Sequence, residues 1–132
     1  MNIGRVAKLA EVAADTIRFY ERIGLLPRAE RSLSGYRTYS PADVSRLRFI
    51  RRARTLGFSL DEISALLLLD AGGGDQVTLE ASISRLLRDI ELKLGELACL
   101  RDLLNARAKH PSGRPFPVIE TLLASEEHPP QH

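Results

Sequence analysis

Apolar residues recur every three or four positions through most of this chain. Ile3, Val6, Ala7 and Ala10 share one face of a short helix, and Glu11-Val12 breaks the spacing. Ala13 to Ile23 reads as a second helix, with Ile17, Ile23 and one of Phe19 or Tyr20 turned inward, and Gly24 stops it. Two short helices across so brief a turn predict a helix-turn-helix over about residues 3–23. From Leu25 the helical period is lost. Pro27, the Ser34-Gly35 turn and the run Arg37-Thr38-Tyr39 predict a small β-hairpin, a wing over about residues 25–39.

Ser40-Pro41 opens a third helix, with Ser as cap and Pro at the first helical position. Val44, Leu47 and Ile50 line its inner face, while Arg46, Arg48, Arg51, Arg52 and Arg54 crowd the rest. Gly57 ends it, and Ser59-Leu60-Asp61-Glu62 is a capping box for a fourth helix that buries Ile63, Leu66 and Leu67. Gly72-Gly73-Gly74 is a composition break, which bounds a first domain at 1–71 and a linker at 72–77.

A single long helix is predicted over 78–109, about 48 Å at 1.5 Å per residue. Along it Ile83, Leu86, Ile90, Leu97, Leu100 and Leu104 keep heptad spacing, with Lys93 interrupting. A lone amphipathic helix of this length exposes its stripe. The simplest partner is a second copy, in a two-stranded coiled coil; the competing arrangement packs the helix against its own N-terminal domain. Pro111 ends it, and residues 110–124 form a Pro/Gly loop followed by a short apolar helix from Val118 to Leu123. Residues 125–132 carry two prolines and read as a disordered tail. The fold class is therefore mainly α.

Composition narrows the setting. No apolar run among the 132 residues reaches the ~20 needed to cross a bilayer, and the N-terminus lacks the apolar core of a secretory signal. Cys99 is the sole cysteine, which points to a reducing compartment and a cytoplasmic protein. Net charge is only +2, yet residues 1–58 carry +7 and residues 59–132 carry −5. The basic half suits a polyanion.

The chemistry on offer in that half is phosphate and base-edge chemistry. Thr16, Arg18 and Tyr20 are placed on an exposed arc of the second helix, of a kind that fits the DNA major groove. Arg18 can read guanine or hold phosphate, and Tyr20 can donate to phosphate. Arg31, Gly35, Tyr36 and Arg37 in the wing are placed to grip the adjoining backbone. Phe19 and Tyr39 read as core aromatics. The arginines of the third helix read as a solvated face, with Arg54 reaching phosphate.

The segments "TIRFYERIGLL", "GYRTYS" and "ARTLGFSLDEI" together resemble the DNA-binding domain of the mercury-resistance (MerR-type) transcription regulators. The resemblance is close over residues 1 to about 69, the long helix resembles that family's antiparallel dimerisation coiled coil, and "FPVIETLL" resembles the end of the effector loop in its copper- and zinc-sensing branch. It implies a winged helix-turn-helix homodimer on a palindromic element of double-stranded promoter DNA. Such a dimer activates by bending and untwisting a promoter whose spacer is too long, and so serves RNA polymerase through the DNA.

The chain also departs from that pattern. Glu11 and Ala13 stand where the family's turn carries Gly and a Ser/Thr cap, and Asp15 places a negative charge near the expected phosphates. Metal sensors of the family use a Cys at the start of the long helix and two in the following loop. Here Asp75 or Gln76, His110 and Phe116 stand near those places. Soft-metal binding needs thiolates, and Cys99 falls off the heptad seam as a small packing residue. His110, His128 and His132 are widely spaced and read as solvated. The sequence thus calls for no metal site and no cofactor, and leaves the effector unknown.

Two other classes compete. An enzyme finds no nucleophile-base pair, ligand cluster or phosphate loop, since Gly72-Gly73-Gly74 lacks the Lys-Ser/Thr that such a loop needs. The second is a coiled-coil module whose basic head binds protein or RNA; a head that grips phosphates should bind random duplex DNA and weaken steeply with salt, whereas a protein-binding head should show little of either.

Overall fold

In the computed structural model, which describes residues 1–109 and 113–127, the first helix, α1 (Ile3–Ala10), is capped by Asn2. Its side-chain oxygen accepts the Arg5 backbone N–H at 2.9 Å. The helix ends at Glu11, whose φ of 56° lies in the left-handed region. Helix α2 (Ala14–Arg22) follows from Ala13, which makes no side-chain cap. The turn therefore lacks both residues that make such a turn easy, a glycine at the left-handed position and a hydroxyl at the cap. Local bonds and tertiary ties hold it instead. The Val12 N–H donates to the Ala7 carbonyl at 3.1 Å, and Arg51 of the third helix pairs with Glu11 at 3.0 Å.

The wing is β1 (Glu30–Arg31) paired antiparallel with β2 (Arg37–Thr38), with Glu30 opposite Thr38 and Arg31 opposite Arg37. Its turn closes through Ser32 N–H to the Tyr36 carbonyl at 2.7 Å and Gly35 N–H to the Ser32 carbonyl at 2.9 Å, with Gly35 at a φ of 84°. The far end is pinned to the start of the chain. The Met1 ammonium donates to the Tyr39 carbonyl at 3.0 Å and the Tyr39 N–H to the Met1 carbonyl at 2.8 Å.

Both expected caps are present. Ser40 with Asp43 opens α3 (Pro41–Thr55), and Ser59 with Glu62 opens α4 (Leu60–Ala71), each as a reciprocal capping box. Val6, Ala10, Ile17, Leu26, Tyr39, Val44 and Leu47 form one core cluster. Leu25, Ile50, Ala53, Ile63 and Leu67 form a second. The half-buried ring of Tyr20 packs against both. Ile23, expected inward, is 46% exposed, because α2 stops at Arg22 and Ile23 is already its cap.

The arginines of α3 are not a plain solvated face. Arg46 Nε donates to the Leu25 carbonyl at 3.1 Å, and Arg48 Nε and Nη2 donate to the Leu9 carbonyl at 3.2 and 3.1 Å. Arg54 Nη1 donates to the Phe58 carbonyl at 3.2 Å. Helix ends leave carbonyls without intrahelical partners, and a guanidinium carries several donors on a long arm. Helix α3 thus stitches the unit together through its polar side.

The chain forms two compact units, Met1–Gly73 and a second that begins at Gly74. In the second, Asp75 precedes α5 (Gln76–Lys109) and accepts the Thr78 N–H at 2.8 Å and the Thr78 hydroxyl at 3.1 Å. The Thr78 N–H bond above all holds the Asp75 carboxyl below the usual carboxylate range. Helix α5 starts two residues before the expected position. It packs with α6 (Val118–Glu127), which runs three residues into the segment read as tail. The expected break at Pro111 and the three histidines, His110, His128 and His132, lie outside the described residues.

Candidate nucleic-acid interface

Helix α2 carries all of its charged side chains but one on its exposed side. Ile17 and Glu21, one turn apart, are both buried, while Asp15, Arg18 and Arg22 are exposed on the opposite arc. Asp15 pairs with Arg18 at 2.9 Å, and the Arg22 guanidinium lies 5.6 Å from the centre of the Phe19 ring. Asp15 is thus a holder of Arg18 as well as a negative charge. Thr16 is half-buried. Neither Thr16 nor Tyr20 shares an arc with Arg18, since two residues turn a helix by about 200°. Tyr20 is half-buried and packs against both cores.

In the wing, Arg31 Nη1 donates to the Gly35 carbonyl at 3.4 Å, which ties the first strand to the turn. Tyr36 is 76% exposed beside it. Arg37 pairs with Glu21 of α2 at 3.6 Å, and the Tyr39 hydroxyl donates to the other oxygen of the same carboxylate. Burial, and then the Glu21 carboxylate, push the Tyr39 phenol up to about 12.

The space between α2 and the wing is a cleft of about 400 Å³, lined by Arg18, Glu21, Arg22, Arg28, Ala29, Arg31 and Arg37. Five guanidinium groups therefore face one carboxylate. Of the expected residues, Arg18, Arg31 and Arg37 come together here, while Thr16, Tyr20, Gly35, Tyr36 and Arg54 are not among the lining residues. Arg22, Arg28 and Glu21 were not anticipated. Arg22 had a sequence signal, because it lies four residues after Arg18 on the same helical face. Glu21 had one as well, an acid four residues after a core isoleucine.

On α5 the seam residues differ in cover. Leu86 is buried and Ile90 and Leu100 are half-buried, whereas Ile83, Leu97 and Leu104 are exposed, together with Leu87 and Leu94. Cys99 is half-buried with a free thiol. Among the described residues no group of three or more His, Cys, Asp or Glu is arranged to hold a metal ion, and no helix is long and apolar enough to cross a membrane.

Comparison with known proteins fits this geometry. Residues 1–69 match the family described as MerR HTH family regulatory protein, and residues 44–107 match MerR, DNA binding. An HTH-type transcriptional regulator of Pseudomonas aeruginosa is 43% identical over 129 residues, covering 92% of this chain and 96% of that protein. The mercuric resistance operon regulatory protein of Serratia marcescens is 44% identical over 105 residues, covering 80% and 72%. The crystal structure of the transcription regulator PbrR691 from Ralstonia metallidurans, in complex with lead(II), superposes with a TM-score of 0.56 at 32% identity, covering 92% and 98%. The chain belongs to the MerR family of helix-turn-helix regulators and is a DNA-binding transcription regulator.

Proposed function

We propose that two copies of this chain, joined along α5, grip one promoter duplex at two half-sites of a palindrome. The observation that carries this reading is the arginine cleft between α2 and the wing. A helix laid in the major groove brings that cleft over the flanking backbone, where guanidinium groups pair with phosphates. Arg18 then faces base edges or the nearest phosphates, while Thr16, about 200° round the helix and half-buried, reaches the duplex only at the helix edge. Arg31, Tyr36 and Arg37, with the Gly35 turn, hold the backbone on the wing side. Tyr20 takes part from its half-buried place beside both cores, and Arg54 through the N–H donors not given to the Phe58 carbonyl. Activation follows from bending and untwisting the duplex between the half-sites, which reaches RNA polymerase through the DNA alone.

The exposed apolar residues of α5, Ile83, Leu97 and Leu104, support the pairing of copies, with Leu86, Ile90 and Leu100 completing the seam. The protein works in the cytoplasm and has no catalytic activity of its own. The Serratia relative is named for mercuric resistance, and the Ralstonia neighbour holds lead(II). This chain has one cysteine, and Asp75 is engaged as a helix cap by Thr78. Its effector is therefore not a soft metal held by several thiolates of one chain.

Selection of bound duplexes from a random pool tests the reading. Recovery of a palindrome with fixed half-site spacing is expected. A pool with no enriched sequence overturns it. Elemental analysis of the purified protein shows whether a metal held by other ligands is the effector.

A further inference from the structure

Among the described residues Glu21 is the buried charged side chain, 5% exposed, whereas Glu11 and Asp15 are 71% and 96% exposed. It lines the arginine cleft. A carboxylate in that place is unfavourable twice. Burial strips its hydration, and it repels the phosphate that the arginines attract. Both of its oxygens point to the wing. One accepts the Tyr39 hydroxyl, and the other faces Arg37 Nη1 at 3.6 Å. The Arg37 side chain is 45% exposed, and with Glu21 and the Tyr39 hydroxyl as neighbours its five N–H donors still leave some for a further acceptor.

Resting on the DNA-binding reading of the cleft, we infer that Glu21 is a positioning residue for DNA binding: from α2 it fixes Arg37 of the wing at the spacing that lets helix and wing touch one duplex together. A free arginine loses much rotamer freedom when it binds phosphate. One already held by a buried carboxylate loses less. The Tyr39 hydroxyl seats that carboxylate, and the Met1 backbone in turn seats Tyr39.

The test uses the full chain and the selected duplex, with affinity followed across a salt series. Glu21→Gln keeps the size of the side chain and an oxygen for Tyr39, and removes the charge. Bulk electrostatics alone predicts tighter binding, by the amount seen for Glu30→Gln, which removes an exposed acid of the wing. Positioning predicts the opposite sign. Glu21→Gln should bind about tenfold more weakly, with a log–log salt slope shallower by about 1.8, the loss of one phosphate contact in each of the two subunits. Arg37→Ala should show the same loss, and the double variant should be no worse than Arg37→Ala alone.

Binding by Glu21→Gln that equals or exceeds that of the unaltered protein overturns the inference. Where circular dichroism shows that Glu21→Gln does not fold, Tyr39→Phe decides. It keeps the buried ring and should weaken binding in the same sense; unchanged affinity and slope overturn the inference. If the unaltered protein itself shows no salt-dependent binding, the DNA reading fails and the inference falls with it. If the unaltered protein binds and Arg37→Ala weakens it while Glu21→Gln does not, only the inference fails.

Discussion

Tyr39, at the end of the wing, donates its hydroxyl hydrogen bond to Glu21 of α2, eighteen residues earlier in the chain. The bond exists only while the phenol keeps its proton. Burial and the Glu21 carboxylate raise that phenol from 10.0 to about 12 in the folded chain. Between those values the unfolded chain releases the proton and the folded chain retains it, so folding stability falls as pH rises through this window. Below pH 10 the contribution is fully present. Denaturant unfolding at stepped alkaline pH should show a steeper loss for the unaltered protein than for Tyr39→Phe. Parallel curves would show that the phenol is not held.

The arginines of α3 should divide by what they touch. Arg48 gives two hydrogen bonds to the Leu9 carbonyl at the end of α1, whereas Arg52 is exposed on the same helix. Arg48→Ala should cost about 1 kcal/mol of stability, measured by urea unfolding. Arg52→Ala should stay within about 0.5 kcal/mol. Equal effects would mean that the tie to Leu9 contributes nothing.

The turn between α1 and α2 offers room for gain. Ala13→Ser supplies the missing cap oxygen and should add about 1 kcal/mol. Glu11→Gly relieves the left-handed backbone but gives up the ion pair to Arg51, an exposed pair worth roughly 0–1 kcal/mol. Its gain should therefore be larger in an Arg51→Ala background than alone. Thermal unfolding of the four variants checks both statements, and a destabilising Ala13→Ser would count against the cap geometry.

Much of this arrangement was legible in the sequence because its signals are local. The two capping boxes, the helix periods, the Gly35 turn and the unbroken run of α5 are set by neighbours within four residues. What was not legible depends on pairs far apart. Arg46, Arg48 and Arg51 looked like solvent-facing charge because their partners, Leu25, Leu9 and Glu11, lie 21 to 40 positions away. Glu21 looked like one more helical acid, although its spacing from Ile17 placed it inward. Tyr20 departs from the arc expected for it, since a two-residue step beside an exposed arginine points a helical side chain nearly the opposite way.

Arg18 is expected to carry sequence preference. Its side chain is 50% exposed and is held at 2.9 Å by Asp15, which limits its directions. Arg18→Ala should lose about 1–3 kcal/mol of specific affinity per half-site and relax the preference at one position of each. Asp15→Asn should raise affinity for random duplex while narrowing the gap to the selected site. Competition binding with single-base variants of the palindrome measures both. An unchanged preference in Arg18→Ala would leave the residue as a phosphate contact only.

The apolar face of α5 carries the remaining expectation. Leu97 is 64% exposed and Leu104 56%, one heptad apart, with Ile83 at 42% two heptads before Leu97. Water-facing leucines at that spacing are unfavourable unless a second helix covers them. Replacing Leu97 and Leu104 together by Asp puts two charges into that seam, while the first unit, with its own two core clusters, keeps its structure. Sedimentation should find the unaltered chain dimeric at micromolar concentration and the double variant monomeric. Each monomer still carries one arginine cleft, so its affinity for random duplex should survive while its affinity for the palindrome collapses toward that of a half-site. A double variant that stays dimeric would move the pairing surface away from this stripe.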